Sequence, residues 1–380
     1  MKKLLYFIII VSFLDTFVQL PIITPYATGM GATYTYAGII VAVYSLTNMF
    51  GNIIGGHWID QFGRRRILIY GMFSVTFILL LYPVVQTGTS LLIVRVIHGL
   101  AGGVLIPAAF AYVGDVTSTG NRAKPMAYTG AAIGGAAIIG PAIGGIMAAR
   151  SKIEYVFIFV AFLFLISVYL VIRFIPESFK RRERSRIDIK EYISLLKNKT
   201  LIQASLAAFA LMISNGTLAF ALPLKVEELG LKSDTTGVLL SVFGIMALIV
   251  FLTKLNRLFS IFKPLSMILT GLVLVGIALF TLHFITEKWQ GFAVMAVYGV
   301  GFAFIFPSMN QMVADTTKRY DRGKAYGVFY AFFSLGVVAG SSIAGFVFDL
   351  YGIPFIISAC IMLACGAILL QMNKLKKPIT

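Results

Sequence analysis

The chain has 380 residues, of which 59% are hydrophobic and only 12% are charged. The charged share is about half that of an ordinary soluble domain, so the composition excludes a soluble globular protein and places the chain in a lipid bilayer. The net charge of +17 would suit a nucleic-acid partner if the basic residues formed one folded face, but they lie in short connecting segments, and we expect no nucleic-acid partner.

Twelve apolar runs of about 20 residues each follow one another along the chain. Lipid offers the backbone no hydrogen-bond partner, and the runs lack the two-residue alternation of barrel strands, so each run predicts a transmembrane helix. We therefore expect an all-α membrane protein whose spans cover residues 4–26, 35–57, 66–86, 90–114, 125–148, 154–175, 201–225, 234–254, 264–284, 289–314, 323–348 and 353–373.

One long connection divides these spans into six and six. It is strongly basic, and Ile187, Ile189, Ile193 and Leu196 favour an interfacial amphipathic helix within it. The predicted domains are a six-helix bundle over residues 1–178, a cytoplasmic linker over 179–200 and a second six-helix bundle over 201–380.

The distribution of Lys and Arg predicts the orientation. Most of the 32 lie at the two chain ends or after an even-numbered span, and the opposite side carries only Arg150, Lys152, Lys225, Lys232 and Lys288. Because basic segments stay in the cytoplasm, we expect a multi-pass protein of the inner or plasma membrane with both termini cytoplasmic.

The first predicted span carries Asp15, the one carboxylate deep inside any span. A charge near the bilayer centre costs about 3 kcal/mol or more, so such a residue is a candidate functional group. With a helical rise of about 1.5 Å per residue, Asp15 lies about 16 Å from the cytoplasmic edge of the bilayer.

The connection between spans 2 and 3 reads GHWIDQFGRR over residues 56–65. It resembles the G-x-L-x-D-R-x-G-R-R signature of the major facilitator superfamily, with Trp58 in place of Leu and Gln61 in place of the first Arg. The second half retains only a vestige at Lys254-Leu255-Asn256-Arg257, with Asn where the signature has the acid.

In this motif we expect Gly56 to allow a close helix contact and Gly63 to allow a tight turn. Asp60 is an anion that can face a helix N-terminus, and the resemblance implies that this is the N-terminus of span 11. The resemblance further implies a conformational latch that includes Arg64 and Arg65. The alternative is a solvated basic connection without that role.

Span 4 contains RVIHG over residues 95–99, which resembles the superfamily's R-x-x-Q-G motif with His98 in place of Gln. Arg95 and His98 are three residues apart and share one helix face. Their depths of about 23 and 18 Å bring His98 nearly level with Asp15. We hypothesise that Asp15 carries the driving proton, that Arg95 favours its ionised form against burial, and that His98 relays or shares the proton. The alternative is a static buried pair that fixes span 1 against span 4.

Span 5 carries GPAIGG over residues 140–145, with Gly140, Pro141, Gly144 and Gly145 matching G-P-x-x-G-G. This resembles the motif of the drug:proton antiporter branch of the superfamily. Small residues recur at every fourth position from Ala132 to Ala148 and predict a smooth groove for close helix packing, with a kink at Pro141. Span 11 repeats the pattern less completely, and we interpret the two grooves as surfaces on which the halves rock. A structural dimer groove is the alternative.

The two halves repeat each other when they are aligned with an offset of 200 residues. Charged residues, glycines and a proline match at this offset, and apolar composition alone would not produce such matches. They are Gly99 with Gly299, Pro107 with Pro307, Asp115 with Asp315, Arg122 with Arg322 and Gly140 with Gly340. Such parallel repeats are typical of alternating-access transporters.

Asp15 with the following Pro21 and Pro25 gives span 1 a layout similar to that of tetracycline efflux pumps of the same branch. Together with the motifs, it predicts a proton-coupled secondary transporter that exports small, largely apolar compounds, with the proton as coupling ion and no other cofactor, acting as a monomer. Another substrate class, such as a lipid, sugar derivative or metabolite, and transport by uptake stay open. The superfamily's cavity helices make these residues the candidate substrate contacts: Gln19, Asn215, Asn310 and Gln311. For each of them, hydrogen bonding between helices is the alternative.

Other function classes find little support in the residues. The spans contain no paired carboxylates, no Ser with a base and no His/Asp metal spacing, so we expect no enzyme and no metal site. The chain has no Gly-Lys-Ser/Thr nucleotide loop, which excludes direct drive by ATP within it. It also lacks the sizeable soluble domain that a receptor would carry.

Overall fold

The computed structural model describes residues 2–115, 123–177, 195–316 and 322–374. Within these ranges the regular elements are α-helices and two short 3₁₀ turns, Tyr82–Val84 and Lys254–Arg257. The predicted amphipathic helix of the linker lies outside the described residues, apart from Leu196.

The helices of the first part of the chain are α1 Lys2–Gln19, α2 Ile23–Gly29, α3 Tyr34–Phe62, α4 Arg64–Leu79, α5 Gly88–Asp115, α6 Ala123–Arg150 and α7 Ile153–Phe174. Those of the second part are α8 Lys199–Glu228, α9 Asp234–Leu252, α10 Leu258–Ile261, α11 Pro264–Phe284, α12 Lys288–Thr316, α13 Arg322–Tyr351 and α14 Pro354–Lys374.

Eleven of the described helices are long and apolar enough to cross a membrane, and the pair α1 and α2 makes a twelfth span if it is counted as one. The predicted all-α, multi-pass membrane fold is confirmed. The single helix expected over residues 4–26 is wrong, because the chain bends by 45° between α1 and α2. Pro21 lies in the break, and its missing N–H cannot continue the helical hydrogen bonds.

The connection between spans 2 and 3 is also shorter than expected. Helix α3 continues to Phe62 and α4 begins at Arg64, so only Gly63 joins them. Gly63 has φ +95°, in the left-handed region that favours glycine. Gly56 and the backbone of Asp60 therefore lie in the last turns of α3 and not in a loop.

The chain divides into two compact units. Unit 1 is Met1–Arg184 with Gly230–Ser241, and unit 2 is Ser185–Leu229 with Val242–Thr380. The first turns of α9 thus belong to unit 1, although its remainder belongs to unit 2. The domain boundaries at residues 178 and 200 stay a prediction.

Equivalent helices pair in the two units. In unit 1, α1 packs on α6 and α7, while α4 packs on α5 and α7. In unit 2, α8 packs on α13 and α14, while α11 packs on α12 and α14. The matching glycines show the same relation, because a Cβ at Gly99 of α5 would meet a backbone carbonyl of α3, and a Cβ at Gly299 of α12 would meet one of α9. The two units therefore repeat the same helix pairings.

Candidate ion-coupling site

Asp15 lies inside unit 1 with only 2% of its surface exposed. Its Oδ1 accepts a hydrogen bond from Gln19 Nε2 at 2.7 Å, and its Oδ2 lies 3.1 Å from Nε2 of His98 on α5. Asp15 and Gln19 are four residues apart, so α1 presents both on the same face. Both oxygens of this buried carboxylate therefore have hydrogen-bond partners from within the bundle.

Arg95 reaches Asp15 indirectly. Its Nη1 donates to Oε1 of Gln19 at 2.7 Å, and its Nε donates to the Ile40 carbonyl of α3 at 3.2 Å. The guanidinium carbon lies 4.4 Å from the ring centre of Tyr44, a cation–π contact. We expected Arg95 to reach toward Asp15 itself. Its contacts with α3 hold the guanidinium at Gln19 instead, whose side-chain amide lies between the two charged groups.

His98 is fully buried, and both ring nitrogens are engaged. Nε2 faces Asp15, and Nδ1 lies 2.9 Å from the hydroxyl of Tyr82. Tyr44 packs edge-on against the imidazole with ring centres 5.2 Å apart. The close approach of α5 to α3 that permits this contact depends on Gly99, where a Cβ would meet the Tyr44 carbonyl and the Thr47 side chain.

Tyr82 was not identified by sequence reasoning. It opens the 3₁₀ turn after α4, is fully buried and accepts a hydrogen bond from the Tyr26 hydroxyl to its own carbonyl at 2.6 Å. Its ring stacks on Phe157 of α7, with ring centres 4.0 Å apart and planes 10° apart. A Tyr-Pro pair at the end of an apolar run gives no sign that its hydroxyl meets a histidine 16 residues later.

The chemistry available at this site is proton binding. A carboxylate and an imidazole, both withheld from solvent, share one hydrogen bond, and the fixed positive charge of Arg95 lies one amide away. When His98 is neutral and Asp15 ionised, the three groups sum to zero charge. Within the described residues no cluster of three His, Cys, Asp or Glu side chains could hold a metal ion.

The predicted latch residues contact a carboxylate that sequence reasoning missed. The backbone N–H groups of Arg64 and Arg65 donate to Oε1 of Glu177, at 3.0 and 3.3 Å, so Glu177 caps the N-terminus of α4. The Arg64 side chain donates to the Ile59 carbonyl, and the Arg65 side chain donates to a carbonyl of α7.

Two expectations about this motif change. A Cβ at Gly56 would have nothing within 4 Å, whereas one at Gly55 would come within 2.7 Å of the Val104 Cα, so the close helix contact falls one residue earlier than expected. The side chain of Asp60 lies outside the described residues, as do residues 317–321 before α13. The predicted pairing of Asp60 with that helix end stays a prediction.

The small-residue face of α6 packs within unit 1. A Cβ at Gly140 would come within 2.7 Å of Phe17 Cβ, and one at Gly144 would meet the Val18 carbonyl, so both glycines bring α6 against α1. We interpreted this groove as a surface on which the halves rock. Small residues at every fourth position line only one side of a helix, and here α1 occupies that side.

The other side of the motif meets the start of α9. Pro141 lies inside the continuous helix α6, and its carbonyl would meet a Cβ at Gly237. A Cβ at Gly145 would come within 3.1 Å of the Gly237 Cα, and Ser241 Oγ donates to the Ile138 carbonyl. The rocking role of Pro141 and Gly145 stays a prediction.

The four candidate substrate contacts have different surroundings. Gln19 is 3% exposed and binds both Asp15 and Arg95, so it belongs to the buried network and not to an open wall. Asn215 and Asn310 are half-buried, and Asn310 Nδ2 donates to the Phe306 carbonyl at 2.8 Å. Gln311 is exposed and lines an open cavity of about 760 Å³ with Lys254 and Arg257, among others.

Up to twelve apolar spans define a multi-pass membrane protein, and one of its two units holds the buried carboxylate–imidazole pair. The chain belongs to the Major Facilitator Superfamily, whose family model matches residues 5–317 and 204–378. It is therefore a secondary transporter of that superfamily, a family of transporters and not of enzymes.

Two curated relatives are similar over nearly their whole length. The quinolone resistance protein NorA of Staphylococcus aureus strain COL is 26% identical over 372 residues, 95% of this chain and 92% of NorA. Multidrug resistance protein 1 of Bacillus subtilis strain 168 is 26% identical over 363 residues, 94% of this chain and 92% of that protein.

Solved structures share the fold. A bacterial homologue of the human lysosomal transporter Spinster superimposes with a TM-score of 0.81 at 12% identity and covers 98% of this chain and 96% of its own. The human organic anion transporter MFSD10 gives a TM-score of 0.72 at 17% identity, covering 97% and 98%. At these identities the likeness concerns the fold alone.

Proposed function

We propose that this protein is a proton-coupled exporter of small, largely apolar compounds that works by alternating access and carries its proton on Asp15. The main support for this proposal is the buried pair of Asp15 Oδ2 and His98 Nε2, which lie 3.1 Å apart within the membrane-spanning helices. An ionisable group at such depth is costly, which favours a functional role over a merely structural one.

The partners of Asp15 favour exchange of a proton over a static ion pair. Gln19 and His98 both bind the carboxylate as groups that can be neutral, and the guanidinium of Arg95 is held by α3 and Gln19. Protonation of Asp15 therefore breaks no direct Arg–carboxylate pair. A buried pair with direct bidentate contact would resist the same change far more strongly.

The export of apolar compounds is supported by the relatives. One is named for quinolone resistance and the other for multidrug resistance, and each is matched over more than nine-tenths of this chain. The excess of Lys and Arg on one side supports cytoplasmic termini in the inner or plasma membrane. Asn215 and Asn310, half-buried on α8 and α12, are the stronger candidates for substrate contact, and Gln19 serves the proton site instead.

We assign the motif at residues 56–65 to a conformational latch. Its support is the geometry at Gly63, where α3 and α4 meet with one residue between them and Glu177 binds the first N–H groups of α4. A carboxylate on a helix N-terminus stabilises it by about 0.3–1 kcal/mol, a contact that can form and break during a transport cycle.

The test is transport in proteoliposomes with an imposed pH gradient and the lipophilic dye ethidium. The wild type is expected to accumulate the dye against its gradient, and Asp15→Asn is expected to lose this drive while it still exchanges dye down its gradient. Asp349→Asn, which alters an exposed acid on α13, is the matched control and should retain the drive. Proton-driven accumulation by Asp15→Asn at the wild-type rate would overturn the proposal.

A further inference from the structure

We infer that Tyr82 is a positioning residue that sets the tautomer of His98 and so lets Asp15 gain a proton without a charged imidazole. The inference rests on the proposed proton coupling at Asp15. The observation behind it differs from the one behind the proposed function. It is the 2.9 Å contact of the Tyr82 hydroxyl with His98 Nδ1, the nitrogen that faces away from the carboxylate.

The backbone and ring of Tyr82 are held in place by contacts on several sides. The residue lies in a 3₁₀ turn, its ring stacks on Phe157 and its carbonyl accepts the Tyr26 hydroxyl. Its side chain and that of His98 are both fully buried. The phenol therefore stays at Nδ1 through packing that does not depend on the protonation state of the imidazole.

A hydroxyl suits this position because it can donate or accept. With Asp15 ionised, His98 donates its Nε2–H to the carboxylate, and Nδ1 accepts from the Tyr82 O–H. With Asp15 protonated, its O–H donates to Nε2, and the imidazole carries its hydrogen on Nδ1, where the Tyr82 oxygen accepts it. In each state both ring nitrogens are satisfied and His98 is neutral.

The proton balance is complete when one proton is added to the three groups Asp15, His98 and Tyr82. The Nε2–H bond of His98 breaks as a proton passes to Asp15 Oδ2, and an N–H bond forms at Nδ1 with the proton of the Tyr82 hydroxyl. The Tyr82 oxygen takes up the incoming proton, so its hydroxyl is restored. The charge of the three groups rises from minus one to zero, and release follows the same steps in reverse.

Once Asp15 is protonated, the groups around His98 offer an imidazolium no counter-charge. The groups that face it are Asp15 from α1, Tyr44 from α3, Tyr82 from the turn and Arg95 from its own helix. Arg95 is permanently charged and lies over the same Tyr44 ring that packs on His98. Once Asp15 is neutral, a second cation there would be repelled by the guanidinium with no carboxylate to offset it.

The test is NMR of ¹⁵N-labelled histidine in full-length protein in which His98 is the one histidine, with His57→Asn and His283→Asn. Over a pH titration the protonated ring nitrogen is expected to change from Nε2 to Nδ1, with His98 neutral throughout. In Tyr82→Phe an Nδ1–H would have no acceptor, so the Nδ1–H population at the acidic end should fall by about fivefold or more.

Tyr298→Phe is the matched control, because Tyr298 is a similarly buried tyrosine on α12 whose hydroxyl meets Ser214 and does not contact the proton site. It should show the same change of tautomer as the unmodified background. Protonation of both nitrogens of His98 at the acidic end, or an unaltered tautomer change in Tyr82→Phe, would overturn the inference.

Transport distinguishes this inference from the proposed function. Tyr82→Phe is expected to lose about tenfold more proton-driven accumulation than Tyr298→Phe, and it should add no further loss to Asp15→Asn. If Asp15→Asn abolishes the drive while Tyr82→Phe matches Tyr298→Phe, the role of Tyr82 fails and the coupling role of Asp15 stands. If Asp15→Asn keeps the drive, the proposed function itself fails.

Discussion

A single amide joins the only buried acid of the described residues to the buried guanidinium. Gln19 donates to Asp15 and accepts from Arg95, each at 2.7 Å. Its carbonyl and amino groups can satisfy an anion and a cation at the same time, which neither a Glu nor a Lys could do. We expect this residue to hold the charge of Asp15 near that of Arg95 without locking the two together.

Replacement of Gln19 by Leu tests this bridge. The change leaves the Asp15 oxygen and the Arg95 N–H without their partner, and a buried unsatisfied group costs about 1–3 kcal/mol. Thermal unfolding in detergent should therefore occur at a clearly lower temperature. Gln203→Leu is the matched control, since Gln203 is equally buried but its amide nitrogen has no hydrogen-bond partner in the described structure. Equal losses for the two variants would contradict the bridging role.

At the level of elements, the packing of α6 on α1 positions the ion site. Gly140 and Gly144 allow α6 to lie against the turn of α1 that follows Asp15. Helix association in lipid depends on such close van der Waals contact, because lipid provides no hydrophobic drive between helices.

Gly144→Ala is expected to destabilise the protein and reduce transport. Its Cβ would meet the Val18 carbonyl and come within 3.3 Å of Pro21, and overpacking of this kind costs about 1–3 kcal/mol. Gly135→Ala on the same helix is the control, because its Cβ would meet nothing within 4 Å. Thermal unfolding and dye transport of the two variants check the difference, and a loss of the same size at Gly135 would count against helix contact as the cause.

The junction of α3 and α4 makes a second prediction at this scale. Gly63→Ala should destabilise the protein, because φ +95° with ψ 160° is essentially confined to glycine and costs other residues about 1–3 kcal/mol. The added Cβ would also approach Glu177 Oε2 within 2.7 Å. Gly56→Ala should be neutral or stabilising by up to about 1 kcal/mol, since Ala favours the helix and has free space there. Thermal unfolding separates the two, and a reversed order would contradict this assignment.

For the whole molecule, the repeat places an uncharged counterpart of the ion site in unit 2. Tyr298 aligns with His98, and its hydroxyl lies 2.8 Å from that of Ser214 on α8. Phe243 packs edge-on to Tyr298 as Tyr44 does to His98. No Asp or Glu is among the buried residues that the structure describes in unit 2. The helix pairings are shared, and among the described residues the buried acid lies in unit 1.

Much of the fold and part of the candidate site could be predicted from the sequence, because the patterns that indicate them are strong. Apolar runs of membrane length predicted the fold, and helical rise alone brought Asp15 level with His98. Tyr82 and Glu177 could not be predicted in this way, because each meets its partner through the packing of helices distant in sequence. The bend at Pro21 and the one-residue junction at Gly63 are decided by local backbone geometry, which apolar composition does not report.

The most direct test of the central claim measures proton release on substrate binding. Purified protein in detergent and weakly buffered solution is mixed with ethidium, and a pH indicator reports the protons released. If Asp15 holds the exchanged proton, the wild type should release about one proton per dye bound at a pH where the acid is protonated, and Asp15→Asn should bind the dye and release none. The control Asp349→Asn should match the wild type, and undiminished release from Asp15→Asn would contradict the account.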